Sequence, residues 1–295
     1  MSSHSASQCI PWLVVLITEC LAIVILNIIT IVVFVKKKRQ LQRQSTYLII
    51  HLAIVDLLVG AVSGPLQIEI RMPTFCNLWT YNGERRLSVF LKLAFSNLFP
   101  LTSLTNLVAI SLERLHATLF PFRHRFIEKW VYRGIIIVIW LTTIAREAAQ
   151  IVLYEILDSH ERFVNNTLYI PFYSISLFVI CVSYIFIFIK VRFSRHPQFY
   201  LAAKRERKMT GSSLIVTLVS LVCFLPALVY VILFFAAQIT IPHVIVVPVL
   251  ILFLANSLIN PLVYALRIPG FRVGVVQIAP VDLPLRNLGT HLFID

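Results

Sequence analysis

Apolar runs of membrane-crossing length recur seven times along this 295-residue chain, and nothing else in the sequence constrains its fold as strongly. A hydrocarbon core of about 30 Å takes roughly 20 helical residues to cross, and each backbone polar group inside it must be satisfied within the structure. The predicted spans are 10–35, 46–70, 87–119, 130–153, 167–193, 204–235 and 242–266. The expected fold class is therefore an all-α membrane protein: a seven-transmembrane helix bundle, followed by a short interfacial helix at 269–277 lying on the cytoplasmic surface. A mean hydropathy of +0.87 and a charged share of only 13% exclude a pair of soluble domains.

The net charge of +13 would suit a nucleic-acid binder, so the positions of the bases decide its meaning. All but six of the 26 lysines and arginines fall on one side of the predicted bundle, the exceptions being Arg71, Arg85, Arg86, Lys92, Arg146 and Arg162. That bias places the N-terminus outside and the C-terminus in the cytoplasm of a plasma-membrane protein. The basic surplus then meets lipid headgroups, and no nucleic acid is expected. Asn165-Asn166-Thr167 is a glycosylation pattern at Asn165 on the outer side. Cys9 and Cys76 also fall there and form a candidate disulfide, while Cys20, Cys181 and Cys223 sit inside apolar runs as small hydrophobes. The first apolar run is too long for a cleavable leader and reads as a span.

Polar residues inside apolar runs mark the candidate sites. Asn27, Asp56, Ser103, Asn256, Ser257 and Asn260 can converge at mid-membrane, where a carboxylate needs a proton or a cation. Their hydroxyl and amide oxygens suit Na⁺; the same groups can equally be interhelical hydrogen bonds worth about 1 kcal/mol or less. No other cofactor is expected. Pro226 and Pro261 each remove a helical hydrogen bond and permit a kink. Glu206 lies about 30 Å along the axis from Pro226, level with the Glu113-Arg114 pair. It pairs either with Arg114 across the bundle or with its neighbours Lys204, Arg205, Arg207 and Lys208.

Asn27, the LAIVD run ending in Asp56, SLERL with Glu113-Arg114 followed by Pro121, Trp140, Tyr184, CFLP with Pro226, and NPLVY from Asn260 to Tyr264 occur in order, span by span. In these stretches the chain resembles the rhodopsin-like (class A) G protein-coupled receptors along nearly its whole length. It bears a weaker likeness to the melanocortin, cannabinoid, lysophospholipid and adenosine receptor group. The resemblance implies a receptor without catalytic activity that transmits binding of an extracellular lipid, small molecule or peptide to a cytoplasmic heterotrimeric G protein.

It also implies an activation switch. Arg114 would leave its acidic partners Glu113 and Glu206 to face the G protein, with Tyr184 and Tyr264 moving in behind it and Phe122 inserting into the partner. Phe224 stands where the family usually has a tryptophan, as the aromatic toggle beneath the ligand, with the hinges at Pro226 and Asn260-Pro261. Asp56, Ser103, Asn256 and Asn260 match the family's allosteric sodium site. Ligand-contact candidates are Glu69, Lys92, Ser96, Asn97, Arg146, Glu147, Phe178, Phe224 and Tyr230. Lys92 or Arg146 can hold an anionic headgroup, or Arg146 and Glu147 can simply compensate each other.

The chain departs from the family pattern at Val89 and across the loop between spans four and five, where the usual disulfide cysteines are absent. Ser176 replaces a span-five proline, and Leu115 replaces the tyrosine after the arginine. Ser96 stands where receptors for biogenic amines carry an aspartate, and span seven has no lysine for an opsin's Schiff base. Two competing readings are a transporter or channel with Asp56 on its ion path, and a non-signalling decoy receptor. The first is weakened by the lack of paired inverted halves.

Overall fold

The computed structural model describes residues 6–36, 46–76, 86–124, 126–157, 168–193, 218–237, 239, 243–267 and 271. Every regular element among them is helical. α1 runs Ala6–Lys36. α2 (Thr46–Leu58) passes through a π-helical turn at Val59–Ser63 and continues as α3 (Gly64–Cys76), so the second span is one rod with a widened turn in its middle. α4 (Arg86–Leu119) ends before Phe120, and the short α5 (Pro121–His124) starts on the proline. α6 (Lys129–Leu157) and α7 (Ile170–Phe193) follow. α8 covers Leu218–Phe234 and widens into a π turn over Ile232–Ala236, and α9 is His243–Arg267.

Six of these rods are long and apolar enough to cross a membrane, and α8 is a shorter apolar helix among the described residues. The chain is thus an all-α, multi-pass membrane bundle of seven helices. Its elements are helices because a segment in lipid must satisfy its own backbone, and because side chains turned outward need only be apolar. Phe188, Leu141 and Val222 accordingly lie exposed on the outside of the bundle.

α4 is the central rod, packed against the second span, α6 and α7, while α1 packs against the second span and α9. Leu52, Leu104, Leu107 and Leu254 fill the core between these rods. The approach of α1 to the π turn is close enough to require glycine. A Cβ on Gly60 would lie 2.8 Å from Ile23 Cγ2 and 2.9 Å from the Cys20 carbonyl oxygen, and one on Gly64 would overlap Cys20 Sγ. Without a hydrophobic force between helices in lipid, such small-residue notches provide the van der Waals contact that holds rods together.

Cys9 is disulfide-bonded, and Cys20, Cys181 and Cys223 are free thiols. Glu206, Asn165, the side chain of Cys76, residues 204–217 and the expected interfacial helix at 269–277, apart from Phe271, lie outside the described residues. Phe271 itself is buried against Phe34, ring centroids 5.6 Å apart.

Candidate functional site

The polar side chains of the spans form three levels. In the middle, Asp56 is fully buried and accepts three hydrogen bonds. Ser103 Oγ of α4 and Ser257 Oγ of α9 donate to Oδ1 at 2.7 and 2.8 Å, and Asn260 Nδ2 donates to Oδ2 at 2.7 Å. Asn27 of α1 joins the same knot, its Nδ2 donating to the Ser257 carbonyl at 3.1 Å. Asn256 Oδ1 is buried without a partner among the described residues. Carboxylate, hydroxyl and amide oxygens are the ligands a hard monovalent cation takes, so this oxygen set fits Na⁺. Asn260, however, turns its amide nitrogen to Asp56. Ser257 belongs to the knot as much as Ser103 does.

At the end of the bundle where α4 terminates, Arg114 is 3% exposed and its Nε lies 2.9 Å from Glu113 Oε2. Glu113 is held on its other oxygen as well: Tyr132 Oη donates to Oε1 at 3.4 Å, and His124 Nε2 of α5 sits 3.1 Å from it. The arginine is thus covered, not presented. Phe122 projects from α5 with 63% exposure. Tyr184 of α7 and Tyr264 of α9 are buried nearby, the latter edge-on to Phe34 at 6.1 Å.

At the opposite end lies a cavity of about 220 Å³. Gln67, Arg71, Asn97, Gln150, Tyr169 and Tyr173 supply its polar wall, and Tyr230, Leu250 and Phe253 part of the remainder. Asn97 is a hub there: its Nδ2 donates to the Leu93 carbonyl, and its Oδ1 accepts from Tyr169 Oη at 3.1 Å. Phe224 forms the floor beneath two wall residues, 6.1 Å from the Tyr173 ring and 5.7 Å from that of Phe253.

Of the ligand-contact candidates, the structure brings only Asn97 and Tyr230 onto the cavity wall, with Phe224 beneath it. Phe178 is corrected: it is 68% exposed on the lipid side of α7. α7 is apolar all round, so its sequence carries no stripe that separates interior from lipid face. Lys92 and Glu69 hold each other, Nζ to Oε1 at 2.6 Å. Arg146 pairs with Glu147 and lies 4.6 Å over the Tyr169 ring. Ser96 is 1% exposed, and its hydroxyl donates to the Leu93 carbonyl of its own helix.

Sequence reasoning passed over Gln67, Arg71, Gln150, Tyr169 and Tyr173. The available signal was the helical spacing of Gln67 and Arg71, four residues apart on one face of an apolar rod. It also passed over His51, whose Nδ1 lies 3.3 Å from Asn106 Oδ1 and whose ring stands edge-on to Trp140.

Seven rods surround a buried aspartate, with a covered arginine at one end and a cavity at the other, the architecture of a multi-pass membrane protein. The chain belongs to the rhodopsin family of seven-transmembrane receptors, whose model matches residues 26–264. Among known proteins it is similar to the adenosine receptor A3 of sheep (Ovis aries), 25% identical over 267 residues that cover 81% of this chain and 80% of that one.

Proposed function

We propose that the chain is a plasma-membrane receptor that couples a ligand in the extracellular cavity to a heterotrimeric G protein at its cytoplasmic face, without catalytic chemistry of its own. The observation that carries this reading is α9. That one helix places Phe253 on the cavity wall, Ser257 and Asn260 on Asp56, and Tyr264 in the aromatic cluster near the Arg114 end. A ligand pressing on Phe253 and Phe224 therefore acts on the rod that also holds the buried carboxylate and ends beside the effector surface.

Arg114 is the switch. In the closed state Glu113 covers it, and in this reading Glu206, which lies outside the described residues, serves as a second acidic partner rather than pairing with its basic neighbours. When α8 swings about Pro226, Arg114 is released to the G protein and Phe122 docks beside it. Na⁺ on Asp56, Ser103 and Asn256, and on Asn260 once its amide is turned to present Oδ1, favours the closed state by tying the second span, α4 and α9 together. A ligand needs only a few kcal/mol of preference for the open state to shift the population.

The test is nucleotide exchange on purified heterotrimers with receptor reconstituted in lipid. Wild type should accelerate exchange over heterotrimer alone, Glu206→Gln should raise it further, and Arg114→Ala should reduce it at least tenfold. Equal exchange in all three would overturn the switch.

A further inference from the structure

Among the described residues, the wall of the cavity carries one charged side chain, Arg71, and no acidic one. The acids of the described residues close to it in sequence or space are already matched, Glu69 by Lys92 and Glu147 by Arg146. Arg71 is positioned without being neutralised: its Nε donates to Gln67 Oε1 at 2.6 Å, one turn back on the same face of α3. An uncompensated cation in a low-dielectric wall is costly, and a guanidinium so placed presents its remaining N–H groups as a fork for two oxygens. Gln150, 7% exposed on the same wall, has its Oε1 without a hydrogen-bond partner among the described residues. Tyr173 and Phe253 add aromatic surface. At about 220 Å³ the cavity is smaller than the roughly 300 Å³ at which drug-sized pockets begin.

We propose that this cavity binds a small organic acid: a carboxylate, phosphate or sulfate on Arg71, an N–H or O–H donor against Gln150 Oε1, and a flat apolar body beside Tyr173 and Phe253. The assignment rests on the receptor reading for its consequence but not for its binding. Gln67 is the positioning residue that aims the guanidinium.

Matched probes separate charge from shape. Purified receptor in phosphatidylcholine nanodiscs is melted with a panel of aromatic acids of about ten heavy atoms, headed by 3-phenylpropanoate and phenyl phosphate. The neutral amide 3-phenylpropanamide and the acyl-chain anion lysophosphatidate are run beside them. Bound ligand raises the melting temperature by mass action. The acids should stabilise wild type, the amide should not, and Arg71→Gln should weaken the acids about ten- to a hundredfold, each protein's gain being read against its own ligand-free melting temperature.

Gln150→Leu should lower affinity for acids that carry a donor and leave 3-phenylpropanoate unchanged. Stabilisation by the amide equal to that by the acid, undiminished acid binding in Arg71→Gln, or no stabilisation by any small acid overturns the proposal. So does stabilisation by lysophosphatidate alone. Binding without nucleotide exchange would instead count against the G protein reading and leave this one standing.

Discussion

Asp56 concentrates the energetics of the bundle in one side chain, because three buried donors from two helices converge on its two oxygens. Asp56→Ala orphans all three at about 1–3 kcal/mol each, so its melting temperature should fall several degrees below that of Asp56→Asn, which keeps one acceptor. Exchanging NaCl for choline chloride should destabilise wild type and leave Asp56→Asn indifferent; an equal response in both would remove the cation from Asp56. The inward position of this residue was legible because a carboxylate in an apolar run has few tolerable surroundings. Arg71 was not, since an arginine near the end of a span reads equally well as a side chain snorkelling to the interface. Only the third dimension shows Gln67 holding it against a cavity. Phe178 failed for the converse reason, as an aromatic ring is at home both in a pocket and in lipid.

At the scale of elements, hydropathy revealed the rods but not how closely they approach. Gly60 and Gly64 look like ordinary helix-weakening residues until Ile23 and Cys20 appear beside them. Gly60→Ala meets the backbone oxygen of Cys20 and should lower stability by about 1–3 kcal/mol, the usual cost of overpacking. Gly64→Ala meets a side chain instead, so Cys20→Ala should restore most of its loss. Thermal unfolding of the two single variants and the double variant gives the coupling, and strict additivity would mean that α1 does not seat in this notch. The π turns were likewise illegible, because winding by one extra residue per turn changes neither composition nor hydrophobicity.

For the whole molecule, the all-helical bundle follows from span length and the backbone's need for internal hydrogen bonds, which act on any sequence this apolar. The proposed orientation rests instead on where the bases lie. An epitope placed before Ser2 should stain on intact cells and one after Asp295 only after permeabilisation; the reverse pattern would invert every statement about inside and outside. Finally, the π turn at Val59–Ser63 sets the two halves of the second span in rotational phase. Each residue of an α-helix advances about 100°, and the π turn holds one residue more than an α turn does, so losing one residue there would restore α winding and leave Gln67 and Arg71 facing the cavity, whereas losing a second would turn them away while Asp56 stayed where it is. The second span therefore has one residue of slack between the cavity wall and the buried carboxylate, and a deletion no longer than that slack leaves both ends in place.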